Sequence, residues 1–187
     1  IQAAVNGLGT DTAAAWAAYG KLDAIFWTVC GAFGIAITTF SGQNYGAKRY
    51  DRVFKSVRVC LGMSFGICGS LLIFLVIFCR PLFHIFTADL TVVNIGVYML
   101  RYITPSYIVF VIIEILSGAL RGIGDVLIPT LITLGGVCCV RLPWILLVVP
   151  QWHQLSSVMV SYPMSWVATA ILLMLYYLYR KKHLKLL

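Results

Sequence analysis

Long apolar runs broken by short polar joints set the pattern of this chain. The uncharged cores cover residues 24–47, 59–79, 102–113, 126–140 and 155–179. A helix crossing a bilayer needs about 20 mostly apolar residues. The first, second and fifth runs meet that length unaided. The third reaches it only by including Glu114, and the fourth only by including Arg141. The pattern predicts an all-α polytopic transmembrane helix bundle. It has five full spans, roughly 13–46, 54–79, 89–120, 125–149 and 155–179, preceded by the end of a truncated helix at 1–5. Thr10 or Asp11 is expected to cap the helix that opens the first span, and Thr87 or Asp89 the third, which is expected to bend at Pro105. Pro129, Pro143 and Pro163 predict kinks. Gly31, Gly34, Gly62, Gly66, Gly69, Gly135 and Gly136 are candidate close-packing positions, Gly62 and Gly66 as G-x-x-x-G.

Composition strengthens the membrane reading. The chain is 61% hydrophobic and 11% charged, too few charges to solvate a domain of 187 residues. The net charge of +8 sits mainly in two blocks beside apolar runs, Lys48 to Arg58 and Arg180 to Lys185, so no nucleic-acid partner is expected and the partner is the lipid bilayer. Positive loops resist translocation. Loop 47–58 and the tail are therefore expected in the cytoplasm, and four crossings between them satisfy both assignments. The joint at 121–125 then also falls inside. The expected location is the plasma (inner) membrane.

The charges inside apolar runs are the first candidates for function, because lipid tolerates them poorly. Glu114 lies seven residues before Arg121, about 10 Å along a helix, and is expected to face the protein interior. It is read either as a coupling or cation site or as a hydrogen-bonded packing carboxylate. Tyr107, Phe110 and Ser117 share its face, which suits a greasy cation or simple helix packing. Arg141 is expected to snorkel outward or to pair with Asp23. Asp23 itself is placed with Lys21 at the outer interface. The five tryptophans are read as interfacial belts. The six cysteines form no C-x-x-C pair, and His84, His153 and His183 have no partner at ligand spacing, so neither disulfides nor a metal site is expected.

Three motifs lie at the ends of these spans. Ser41-Gly42-Gln43-Asn44-Tyr45-Gly46-Ala47 closes the first, with Gly46 suited to a helix C-cap. Gly118-Ala119-Leu120-Arg121-Gly122-Ile123-Gly124-Asp125 makes a turn in which Gly122 and Gly124 permit reversal. There Asp125 is expected to cap the next helix and Arg121 to meet headgroups. Arg141-Leu142-Pro143 lies within the fourth span. With the opening Leu8-Gly9-Thr10-Asp11-Thr12-Ala13-Ala14-Ala15-Trp16, these resemble the multidrug and toxic compound extrusion family. Gln43-Asn44-Tyr45-Gly46-Ala47 is similar to its Q-N-x-G-A ending and Leu120 to Asp125 to its L-R-G-x-G-D turn.

That resemblance implies twelve helices in two six-helix lobes working by alternating access. Residues 1–187 would be the C-terminal lobe, from the end of helix 7 through helix 12, and the partner would be the missing N-terminal lobe. It implies an acid on the tenth helix, the one that carries Glu114, and an acidic cation site on the seventh in some members. The expected function is a secondary antiporter that exports amphipathic or cationic drugs against H⁺ or Na⁺ influx, with small organic cations as ligands and no cofactor beyond the coupling ion. A lipid-linked oligosaccharide flippase is the alternative, and it calls for a cluster of cationic side chains that the spans lack. No H-E-x-x-H, Ser/His or Cys/His arrangement points to an enzyme.

Overall fold

The computed structural model describes residues 5–152 and 154–184. Most of the expected preceding helix, as well as His153 and Lys185, lies outside the described residues. Among the described residues eight helices follow Gly9: α1 (Thr10–Gly46), α2 (Tyr50–Ile77), α3 (Cys79–His84), α4 (Leu90–Ile103), α5 (Tyr107–Gly122), α6 (Leu127–Gly135), α7 (Leu142–Leu147) and α8 (Leu155–Leu184). A 3₁₀ turn, Thr104–Ser106, joins α4 to α5, and a π-helical segment, Gly136–Arg141, joins α6 to α7. Counting each joined pair once gives, among the described residues, five helical runs long and apolar enough to cross a membrane. Their outward faces are greasy: Ile35, Leu127 and Leu146 are each 71% exposed. Water would penalise that surface, whereas lipid accommodates it.

The bend at Pro105 is present, as a turn of 3₁₀ helix in an otherwise continuous Leu90–Gly122 run. Proline removes one backbone donor and its ring displaces the preceding turn. Asp89 caps α4 through the Thr91 N–H at 2.8 Å. At α1 the N-cap is Gly9, with φ of 108°, and neither Thr10 nor Asp11 caps it. The helix begins earlier than the apolar pattern predicts, which leaves Asp11 inside the first turn, favourable to the helix dipole.

The C-terminal ends of α1 and α5 close in the same way. After α1 the Lys48 N–H bonds to Tyr45 and the Arg49 N–H to Asn44. After α5 the Gly124 N–H bonds to Arg121 and the Asp125 N–H to Leu120. This pairing is the Schellman arrangement, and it needs a left-handed residue. Gly124 supplies it at φ 87°, whereas at the other end Lys48, not Gly46, takes it at φ 56°. Lys48→Gly is therefore expected to stabilise the protein by about 0.5–1 kcal/mol and Gly124→Ala to destabilise it by about 1 kcal/mol. Thermal unfolding in detergent would read opposite shifts.

α5 is the most enclosed helix and α1 packs on it most extensively. Their crossing is built from small residues: Gly34, Thr38 and Gly42 face Gly118 and Gly122, and the Thr38 hydroxyl donates to the Gly118 carbonyl at 3.0 Å. The contact glycines thus belong to the turn motif of α5. The G-x-x-x-G pair Gly62 and Gly66, with Gly31, Gly69 and Gly135, has open space where a Cβ would stand. Gly136 meets the Thr169 hydroxyl on α8, which lets the π segment lie against that helix.

Candidate functional site

Tyr19, Asp23 and Trp27 recur every fourth residue on α1 and so form one face. That face meets the start of α5 just past the Pro105 bend. The Tyr107 hydroxyl donates to Asp23 Oδ1 and also bonds the Tyr19 hydroxyl. The Trp27 indole N–H donates to Asp23 Oδ2 at 2.6 Å. Asp23, half-buried, is held by neutral donors, and among the described residues it has no salt-bridge partner. Aromatic rings wall it. Phe26 stacks on Tyr107 at 4.5 Å, Trp27 meets Phe110 edge-on at 4.4 Å, and Trp166 of α8 reaches Tyr107 at 5.4 Å and Phe110 at 5.7 Å. Tyr162 closes the wall between Trp166 and Trp16.

Arg141 borders the same wall from the π segment. Its residue is 9% exposed, its guanidinium donates to the Ser165 hydroxyl at 2.7 Å, and it lies over the Tyr162 ring at 4.2 Å. It neither snorkels nor pairs with Asp23. Pro143 cannot donate to the helical ladder, and the wide π turn before it places Arg141 against α8, where Ser165 accepts and the Tyr162–Trp166 rings intervene. Lys21 does not pair with Asp23 either; it lies over Phe86.

The four residues predicted around one acid divide between two places. Tyr107 and Phe110 join the aromatic site. Glu114 forms an ion pair with Arg121 at 3.1 Å, beside Gly34 of α1, and Ser117 is buried one turn on. The helical rise alone separates Glu114 from Arg121, but side chains tilt toward the helix N-terminus, so Arg121 reaches back two turns on its own face. It therefore meets Glu114 rather than headgroups alone. Asp125 does not cap α6. It accepts from the Tyr176 hydroxyl and pairs with Arg180 of α8 at 2.9 Å. Asn44 is buried with its amide on the Phe40 carbonyl, while Gln43 and Gly46 are exposed.

These ion pairs define one end of the bundle. Lys181 near the end of α8 lies over Phe54 near the start of α2, so the basic loop after α1 and the basic tail share that end. The aromatic site lies toward the other. Sequence reasoning missed Asp23 as a site residue and read Trp27 and Trp166 as interfacial. The four-residue spacing of Tyr19, Asp23 and Trp27 was the available signal.

Comparison with known proteins fits this architecture. A probable multidrug resistance protein of Bacillus subtilis (strain 168), YoeA, is 27% identical over 184 residues, 96% of this chain and 40% of that protein. A probable multidrug resistance protein of Thermotoga maritima, NorM, is 34% identical over 129 residues, 67% of this chain and 27% of that protein. The chain thus spans less than half the length of either relative. The MatE family model matches residues 1–147, a span that takes in α1 through α7. This multi-pass helical chain belongs to the MatE family of multidrug and toxic compound extrusion proteins.

Proposed function

We propose that the chain forms one lobe of a secondary active transporter that exports amphipathic organic cations in exchange for H⁺ or Na⁺. The carrying observation is the Asp23 carboxylate, bonded among the described residues by the neutral Tyr107 and Trp27 donors and walled by aromatic rings. A negative charge in a poorly hydrated surrounding attracts a cation, and the π faces favour an organic one by about 0.5–2 kcal/mol per contact. Strongly hydrated ions gain less there. An acid of this kind supports exchange because drug and coupling cation compete for one charge. Each then biases the equilibrium between inward- and outward-facing states. The names of the two relatives agree with drug export.

On this reading a second lobe completes the central cavity, and the end carrying loop 47–58, Asp125 and the tail faces the cytoplasm of the inner membrane. Glu114, paired with Arg121, steadies the lobe rather than carrying the exchanged charge. A flippase for a pyrophosphate-linked glycan calls for a positive cavity, and the negative charge of Asp23 on the aromatic wall argues against it.

Ethidium efflux from cells expressing the complete transporter tests the proposal. Collapse of one of the two gradients, that of the coupling ion, is expected to stop efflux. Efflux that survives the loss of both gradients, or that does not exceed the level in cells lacking the protein, would overturn it.

A further inference from the structure

Two unlike charges border one aromatic wall, and neither has an ionic partner among the described residues. Trp166 makes the link. It packs on Tyr107 and Trp27, the two donors to Asp23, and its ring also lies 5.8 Å from the Arg141 guanidinium. Arg141 is nine-tenths buried, yet among the described residues only the Ser165 hydroxyl accepts from it. A guanidinium carries five donors and its charge persists at any ordinary pH. Packing alone would be served by an apolar side chain of similar length, at lower desolvation cost. The charge therefore calls for an electrostatic role, and the carboxylate across the rings is the group that answers it.

We propose that Arg141 is a fixed counter-charge that sets the affinity of the Asp23 site by ligand charge. In the empty site its positive field compensates Asp23 across the Tyr162–Trp166 wall. When a cation arrives, the same field opposes it. The site therefore holds a monocation loosely enough to release it, and it rejects a dication more strongly. Nothing in this requires Arg141 to move. The inference rests on the reading of Asp23 as a cation site.

Equilibrium binding to the purified complete transporter tests it with three probes of similar shape: ethidium, a monocation; propidium, a dication; and a neutral phenanthridine. Arg141→Gln is expected to tighten ethidium binding about six- to thirty-fold, the range for unit charges roughly 8–15 Å apart at an effective dielectric near 20. Propidium binding should tighten by about the square of that factor, and binding of the neutral probe should not change. Arg141→Lys is expected to keep the wild-type ranking. Arg141→Met, which preserves length and contact with the rings, supplies a second neutral variant if the glutamine variant folds poorly. A purely structural role would shift all three probes alike, and that result would overturn the proposal. So would an unchanged ethidium affinity in both neutral variants. Asp23→Asn in parallel separates the two levels. If it weakens ethidium binding while loss of the Arg141 charge has no effect, only this inference falls. If Asp23→Asn has no effect, the cation-site reading falls first.

Discussion

Asp23→Asn in the complete transporter is expected to reduce gradient-driven ethidium efflux at least about tenfold, whereas Glu114→Gln retains it within about threefold. The two acids differ in what already holds them. Glu114 has a guanidinium at 3.1 Å, so its charge is spent within the lobe. Asp23 has the Trp27 and Tyr107 donors and no ionic partner among the described residues. Asparagine keeps the size and one acceptor oxygen but removes the charge. A charge-assisted contact is worth about 1.5–3 kcal/mol, and each 1.4 kcal/mol is tenfold in affinity. Glu114→Gln should act mainly on stability, since it leaves Arg121 without its ion pair. Efflux assays normalised to protein level separate the two effects. Equal and severe loss in both variants would move the coupling role toward Glu114.

The second large effect lies at the α1–α5 crossing. A Cβ at Gly118 would stand 2.8 Å from both the Gly34 carbonyl oxygen and Ile37 Cγ2, and one at Gly122 would meet the Thr38 carbonyl and lie 2.8 Å from Ser41 Cβ. Backbone cannot retreat as a flexible side chain does, so a larger residue must push α1 away from α5. Overpacking of this kind typically costs about 1–3 kcal/mol, and a leucine set against backbone belongs at the upper end or beyond. Gly118→Leu and Gly122→Leu are therefore expected to lose most folded protein. Any that survives should lose efflux, because the displaced helices carry Asp23 and Tyr107, the two sides of the site. Gly62→Leu and Gly66→Leu have open space at the same test and should change stability by no more than about 0.5 kcal/mol. Solubilised yield and thermal unfolding distinguish the two pairs.

The crossing also shows which features were legible along the chain. The five apolar runs could be read because lipid, as a solvent, demands about 20 apolar residues whatever the packing. The Gly124 turn could be read because reversal after a helix needs a left-handed residue there. Gly62 and Gly66 matched a packing motif, but motif spacing does not say which face meets a neighbour. Gly118 and Gly122 have that same spacing and were read instead as part of a turn.

The aromatic site was hidden for a related reason. Trp27 and Trp166 are common residue types at membrane interfaces, and only the convergence of α1, α5 and α8 reveals that both wall one carboxylate. Asp23 was read beside Lys21 because they are close in sequence. On a helix, residues two apart point in different directions, and here Lys21 turns to Phe86 while Asp23 turns inward. Backbone rise, which sets Glu114 about 10 Å from Arg121, hides their ion pair because it ignores how far two long side chains extend along one face.

Carbodiimide protection tests the central claim most directly. Dicyclohexylcarbodiimide is apolar and modifies carboxyl groups in membrane interiors, and peptide mass spectrometry of the complete transporter locates the adduct. The account predicts that Asp23 is modified, and that ethidium at saturating concentration protects it at least about tenfold while labelling of Glu114 does not change. Modification of Asp23 at the same rate with and without ethidium would contradict it.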